Sequence, residues 1–362
     1  MVRRIDVTGA GGVRLAAWEF GDPPKTDPAR NGSVGGGSAR NGSLGGGSVG
    51  NGSAVGNGSV RNGSVDSRSA GRGAARDAGL EGGSLRDGSV RDGSVREALV
   101  GDGGEQGPGV LLLHGLMGRA SHWASTARWL SERYRAVALD QRGHGRSDKP
   151  PVEYYTRDAY VEDAEAALEQ LGLAPAVVIG HAMGALTAWQ LAAKRPDLVR
   201  GLVICDMRAS ALGAASQREW EDWFRAWPVP FATLADVRKW FGEDDPWVER
   251  PSAARGEFYA EVMAESGDGW RPVFEPEQML KSRESWVYDA HWEELAQVQC
   301  PALVVRGLDG ELGRAESQEM VRVLPRGQYA EVADAGHLVH YDQPEAWRTA
   351  IEPFLDGVLA SS

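Results

Sequence analysis

Residues 177–184 read VVIGHAMG, and this stretch decides the fold. The apolar run at its start predicts a buried strand, and residues 185–194 beyond it have the composition of a helix. Gly180 and Gly184 lie two positions either side of the central residue, Ala182. This spacing is typical of a turn so tight that a Cβ atom at either flank would collide with the adjoining strand or helix.

Other apolar runs predict strands that alternate with helical segments. They occupy residues 3–7, 14–20, 110–113, 136–139, 202–205, 301–306 and 329–332. Such alternation predicts an α/β fold with a mainly parallel sheet and helices on both faces. Ligands of these sheets bind beyond the carboxyl ends of the strands, where the turns containing Gly and His fall in this chain.

Composition divides the chain further. Residues 27–107 hold 24 of the 48 glycines and repeat the triplet Asn-Gly-Ser, so they lack the apolar side chains that would offset backbone ordering. Eight of the 13 tryptophans lie in residues 207–298, among short helical segments interrupted by prolines. The predicted segments are N-terminal edge strands (1–26), a disordered insert (27–107), the first half of the core (108–206), a helical cap (207–298) and the second half of the core (299–362).

Charge and composition exclude several classes of function. The formal net charge is −12, which argues against nucleic acid or an anionic membrane as a partner. No apolar run approaches the length of a membrane span, and the first residues lack the apolar region of a signal peptide, so a cytoplasmic location is expected. Cys205 and Cys300 lack metal-ligand spacing, and no dinucleotide or phosphate loop is present, so neither a metal nor a cofactor is expected.

Five turns, each after an apolar run, resemble the signatures of the α/β-hydrolase superfamily in their usual order. They are HGLMG (114–118), DQRGHGRS (140–147), GHAMG (180–184), GLDGE (307–311) and AGH (335–337). The resemblance covers nearly everything outside the insert. It implies an α/β-hydrolase fold with a cap and a Ser-His-acid mechanism acting on carboxylic esters or lactones. Position 182 corresponds to the serine of the G-x-S-x-G elbow.

The resemblance also implies roles for individual residues. His337 would be the general base, and the backbone N–H groups of Leu116 and Met183 would form the oxyanion hole. For the acid that orients His337, the family pattern favours Glu311, with Asp206 as the alternative and Asp309 as a weaker candidate. His114 and His181 resemble residues that brace the loops of the family's active sites.

Ala182 has no nucleophilic atom, because a methyl group cannot attack a carbonyl. One interpretation is a hydrolase whose serine has been replaced, either as an inactivated variant or by natural loss. The other is a non-hydrolytic member of the fold, either a binding protein or a lyase that uses His337 as its base. Residues 46–50 (GGSVG) match the elbow pattern, but neither a strand nor a helix adjoins them, so Ser48 is not expected to be the nucleophile.

Trp220, Trp223 and Trp227 follow one another at three- and four-residue spacing, which places them on one face of a helix. The more common role of such a stripe is to pack the cap onto the core. The functional alternative is a wall of an apolar pocket for a bulky substrate. The expected partner is therefore a small-molecule apolar ester or lactone.

Overall fold

An eight-stranded sheet forms the centre of the protein in a computed structural model, which describes residues 1–21 and 107–359. The predicted insert, residues 27–107, lies outside the described residues except for its last residue. The strands of the described ranges are β1 (Val2–Thr8), β2 (Arg14–Phe20), β3 (Gly109–Leu113), β4 (Arg135–Asp140), β5 (Ala176–His181), β6 (Val199–Cys205), β7 (Met263–Ser266), β8 (Gly269–Pro272), β9 (Ala302–Gly307) and β10 (Gly327–Val332). Strands β7 and β8 pair with each other, and the remaining strands form the sheet in the order β1-β2-β4-β3-β5-β6-β9-β10.

The sheet is parallel from β4 to β10, and β1 and β2 add to its edge in antiparallel pairing. Every residue of β3 and β5 is buried, as expected of strands that are covered on both faces. Strand β1, in contrast, exposes most of its residues at the sheet edge. The predicted α/β-hydrolase fold, with its mainly parallel sheet, is confirmed.

Helices cover both faces of the sheet. The α-helices of the described ranges are α1 (Ala124–Leu130), α2 (Arg157–Gln170), α3 (Met183–Lys194), α4 (Gly213–Ala226), α5 (Leu234–Lys239), α6 (Ala253–Ala260), α7 (Pro276–Val287), α8 (Trp292–Ala296), α9 (Arg314–Val323), α10 (Val339–Asp342) and α11 (Pro344–Leu359). Helices α2, α3, α8 and α9 contribute to the apolar cluster on one face, and α1 and α11 to the cluster on the other. Successive side chains of β3 alternate between these two clusters, as the period of a strand requires.

Helices α4 to α8 and the β7–β8 hairpin lie between β6 and β9, in the part of the chain predicted as a cap. A third apolar cluster joins α4 to α7 with Leu116, Met117 and Met183, which follow the carboxyl ends of β3 and β5. The cap elements therefore cover the sheet edge at which ligands of such folds bind. The pattern of residues does not predict the hairpin, whose turn depends on Gly269 at a φ of 134°.

Candidate active site

Ala182 lies in the turn between β5 and α3, with a φ of 46° and a ψ of −121°. This left-handed backbone conformation strains a residue that carries a Cβ atom. A Cβ added to Gly180 would lie 2.4 Å from the Gly184 carbonyl oxygen, and one added to Gly184 would lie 2.4 Å from that of Leu113. Both flanking positions therefore require glycine. The Ala182 N–H donates to the Cys205 carbonyl at 2.9 Å, which ties the turn to the end of β6.

The turn after β3 lies directly against position 182. A Cβ added to Gly115 would lie 3.2 Å from the Cβ of Ala182. The Leu116 N–H, next in the chain, has no hydrogen-bond acceptor among the described residues. Met183 is the first residue of α3, so its N–H has no acceptor within the helix. The two amide groups predicted for an oxyanion hole are thus both available beside Ala182.

Two buried histidines hold the turn after β3 in shape. His144 Nε2 accepts the N–H of Met117, whose φ is 62°, at 3.1 Å. His114 Nε2 accepts the N–H of Gln141 at 3.0 Å. In each ring Nδ1 donates to a nearby backbone carbonyl at 2.8 Å. Burial lowers the pKa of His114 to about 4 and that of His144 to about 3, so both rings are neutral and able to accept.

His337 follows β10, and its Nδ1 donates to Asp206 Oδ2 at 2.8 Å. Glu311, which the family pattern favours as the acid, keeps its carboxylate 3.9 Å from the same nitrogen, and its side chain is 62% exposed, whereas that of Asp206 is 0% exposed. The Glu311 N–H instead donates to Asp206, at 2.9 Å. Asp309 pairs with Arg250 at 3.3 Å. The acceptor of the His337 Nδ1–H is therefore the alternative candidate, Asp206, and not Glu311.

Opposing effects set the pKa of His337. Burial lowers it, but the charges of Glu311, Asp206 and Asp342 outweigh burial, and the pKa rises to about 9. The ring is therefore protonated at neutral pH. Because Asp206 holds Nδ1, the group that exchanges a proton with a ligand is Nε2, on the opposite edge of the ring.

His181 connects the turns around this site. Its Nε2 donates to the His337 carbonyl at 2.9 Å, and its Nδ1 would lie 2.7 Å from a Cβ added to Gly115. Its ring centroid is 4.6 Å from that of His337 and 5.0 Å from that of His340. This arrangement agrees with the bracing role that the resemblance implies for His181.

The structure brings two further side chains to His337. Asp342 accepts the Gly336 N–H at 2.9 Å, which places a carboxylate next to the loop of His337. His340 is buried and stacks on Trp123 with ring centroids 3.8 Å apart, and neither of its ring nitrogens has a partner among the described residues. In the sequence, only their position on the short helix after His337 indicates that they lie near the site.

Comparison with known proteins identifies the family of this chain. The profile of the α/β-hydrolase fold family matches residues 108–344, which include all the turns described above. The chain belongs to this family.

The chain is similar to individual members of the family over much of its length. It is 30% identical over 260 residues to 2-(acetamidomethylene)succinate hydrolase of Mesorhizobium japonicum, covering 69% of this chain and 88% of that protein. It is 28% identical over 264 residues to the sn-1-specific diacylglycerol lipase ABHD11 of Mus musculus, covering 70% and 83%. The crystal structure of E-2-(acetamidomethylene)succinate hydrolase superposes with a TM-score of 0.67 at 21% identity, covering 98% of this chain and 100% of that one.

The stripe of three tryptophans, two on α4 and Trp227 directly after its end, lies mainly among other aromatic residues of the cap. Trp223 and Trp227 are buried, with ring centroids 4.9 Å apart. Trp223 stacks on Trp247 at 4.6 Å, and its indole N–H donates to Asp245 at 3.0 Å. Trp220 is partly buried against the same cluster. These contacts are those of cap packing.

Two features are absent from residues 1–21 and 107–359. In these ranges no group of three or more His, Cys, Asp and Glu side chains is arranged to hold a metal ion. None of the helices described there is both long and apolar enough to cross a bilayer. Ser48 lies outside the described residues.

Proposed function

We propose that this family member has the active site of a carboxylic ester or lactone hydrolase, with position 182 as the site of the nucleophile. The observation that carries the proposal is the hydrogen bond of 2.8 Å between His337 Nδ1 and Asp206, at a site where Ala182 occupies a strained elbow. In this assignment His337 is the general base, Asp206 orients it, and the N–H groups of Leu116 and Met183 are the oxyanion hole.

These roles combine into acyl transfer when residue 182 is a serine. Its Oγ attacks the carbonyl carbon of the substrate while His337 Nε2 takes the Oγ proton. The carbonyl oxygen becomes an oxyanion that the two backbone N–H groups stabilise, by about 3–4 kcal/mol for one such donor in a serine protease. His337 then protonates the leaving alcohol, and water hydrolyses the acyl-enzyme by the reverse sequence of proton transfers.

Relatives support a small-molecule substrate of this kind. One is named as a hydrolase of an acetamidomethylene derivative of succinate and another as a diacylglycerol lipase. An enol-lactonase from Burkholderia xenovorans LB400 has the same fold. The apolar side chains of Leu116, Met183 and Leu338 belong to the cluster beneath the cap, and they suit the hydrocarbon part of an ester or lactone.

Ala182 itself favours a second candidate function. With a methyl group at the elbow the chain forms no acyl-enzyme, so a chain in which this alanine is native would bind its ligand without hydrolysing it, or would use His337 as the base of a lyase. The oxyanion N–H groups and the His337–Asp206 pair are then a binding site for a carbonyl compound.

Restoring the nucleophile tests the proposal. We expect Ala182→Ser to gain activity on a panel of aryl esters and lactones, up to about a millionfold over the unmodified chain, the scale on which serine proteases lose rate without this residue. The double variant Ala182→Ser/His337→Gln is the matched control and should be inert. An Ala182→Ser protein with an unchanged circular dichroism spectrum and no activity on the whole panel would rule out the hydrolase and leave the binding function.

The same serine background identifies the acid. Asp206→Asn should lower kcat by about 10⁴-fold, as when the triad aspartate of a serine protease is replaced, because the ring loses the acceptor that fixes its tautomer. Glu311→Gln should lower kcat less than tenfold, because the exposed Glu311 carboxylate makes no hydrogen bond to His337. The opposite order of losses would assign the acid to Glu311.

A further inference from the structure

Arg283, on α7, is a buried cation that has no carboxylate partner in the part of the chain that the structure describes. It is 1% exposed and makes no ion pair within the described residues. The other two buried arginines of this part of the chain are paired: Arg142 lies 2.7 Å from Asp163, and Arg306 lies 3.3 Å from Glu331. Burying an unpaired charge is costly, so a missing counter-ion at one buried arginine of three calls for an explanation.

The surroundings of Arg283 hold its guanidinium in place and leave donors free. Nη1 donates to Gln217 at 2.8 Å and Nη2 to Ser216 at 2.6 Å. The guanidinium carbon is 4.8 Å from the ring centroid of Trp220 and 5.4 Å from that of Trp286. Nε of Arg283 and the indole N–H of Trp286 are both buried, and neither has an acceptor among the described residues. Two unpaired donors therefore lie on one helix, three residues apart.

The charge of Arg283 persists at neutral pH. Burial lowers its pKa to about 10, which still leaves the guanidinium protonated. The groups that raise its pKa against the effect of burial are Glu311, Tyr288 and Glu219, all of which are exposed to solvent. None of them supplies the missing counter-ion by direct contact.

Helix α7 also lies against the candidate active site. Ser282, the residue before Arg283, places its Oγ 3.3 Å from the sulfur of Met183, which follows Ala182 in the chain. Glu311, the group that acts most strongly on Arg283 after burial, is 3.9 Å from His337 Nδ1. Helix α7 therefore packs against the elbow, and Arg283 directly follows the residue that makes this contact.

We propose that Arg283 and the indole N–H of Trp286 bind a carboxylate on the substrate, so that this site acts on half-esters or lactones of dicarboxylic acids. The inference rests on the proposed function. The unpaired Nε–H of Arg283 and the unpaired indole N–H of Trp286 can each donate to one oxygen of a carboxylate, and the guanidinium supplies the opposite charge. A single unpaired positive charge also neutralises a monoanion, whereas a phosphate dianion would keep a buried negative charge.

Binding to the unmodified chain tests the inference, because Ala182 allows affinity to be measured without turnover. The probes are the monoethyl esters of succinic, glutaric and adipic acid, each compared by calorimetry with its neutral carboxamide analogue. We expect at least one acid to bind tenfold or more tightly than its amide. Arg283→Gln should abolish this preference and Arg283→Lys should keep part of it. Arg255→Gln, which alters a cap arginine already paired with Asp245, is the matched control and should keep it in full.

The outcomes separate this inference from the proposed function. Equal binding of acids and amides, or a full preference in Arg283→Gln, would overturn the carboxylate site and leave the hydrolase proposal standing. No binding of either series would overturn both the carboxylate site and the choice of small esters. If Arg283→Gln does not fold, Trp286→Phe removes one donor and keeps the ring, and an unchanged preference in that variant would also overturn the inference.

Discussion

At the scale of single residues, the chemistry of the site depends on the carboxylates around His337. Asp206 lies 2.8 Å and Glu311 3.9 Å from its Nδ1, and Asp342 adds a third negative charge. The pKa of about 9 exceeds the ordinary value of about 6.5 in an unfolded chain. A raised pKa means that protonation of His337 stabilises the fold in full below about pH 6.5, and that this contribution is lost as pH rises through about 9.

Catalysis should have the opposite dependence on pH. In Ala182→Ser the base must be neutral to accept the Oγ proton, so kcat/KM should rise with pH and level off above about 9. Glu311→Gln should lower this midpoint, because it removes one of the charges that hold the proton on the ring. The pKa can be measured without turnover by NMR titration of the His337 ring in the unmodified chain. A midpoint near the ordinary histidine value in both the unmodified chain and Glu311→Gln would contradict this electrostatic account.

At the scale of elements, α4 is part of the aromatic interior of the cap. Its Trp223 is 3% exposed, stacks on Trp247 and donates to Asp245. Burial of this kind makes a side chain a determinant of stability, and it leaves little indole surface for a substrate. The stripe of Trp220, Trp223 and Trp227 therefore belongs mainly to packing.

Truncation of Trp223 should reveal this role. We expect Trp223→Ala to lower the free energy of unfolding by about 3–5 kcal/mol, the usual cost of removing a buried aromatic ring. Trp247→Ala should cost less, because Trp247 is 42% exposed. Urea denaturation of both variants gives the comparison. If Trp223→Ala keeps its stability and changes only the ratio of activities on bulky and small esters in an Ala182→Ser background, Trp223 lines the pocket instead.

At the scale of the whole molecule, the described residues on either side of residues 22–106 belong to one sheet. Strands β2 and β3 flank residues 22–106, and each pairs with β4. The order of the sheet therefore needs a connection between these strands, but no particular length of it. The entropy of closing a loop changes slowly with its length, so a shorter connection should be tolerated.

Deletion of residues 27–107 should leave the fold intact. Their composition is poor in apolar side chains, so the sequence predicts little contribution to a core. A variant joined by a short Gly-Ser linker should keep its melting temperature within a few degrees, measured by calorimetry. A second Gly-Ser linker of the same short length, with its residues in a different order, controls for the junction. A fall of many degrees with both linkers would show that the deleted residues contribute to the folded state.

The sequence was sufficient for features that depend on local spacing. Gly180 and Gly184 predict the elbow because no other residue fits its close contacts, and the apolar runs predict strands because only a covered parallel sheet buries them on both sides. The family resemblance places His337 on the loop after the last strand. Each of these inferences uses residues that are close together in the chain.

Tertiary structure decided the features that depend on contacts between distant segments. Asp206 and Glu311 follow adjacent strands, β6 and β9, so both carboxylates lie near the same nitrogen. Only Asp206, at 2.8 Å, is within hydrogen-bond distance of it, whereas Glu311 is 3.9 Å away. In the sequence, nothing distinguishes Arg283 from a cation on the surface of a helix. Only the packing of α7 against α4 shows that it is buried, and that no counter-ion lies beside it among the described residues. Hydrogen bonding and desolvation depend on distances across the fold, which the order of residues along one chain does not specify.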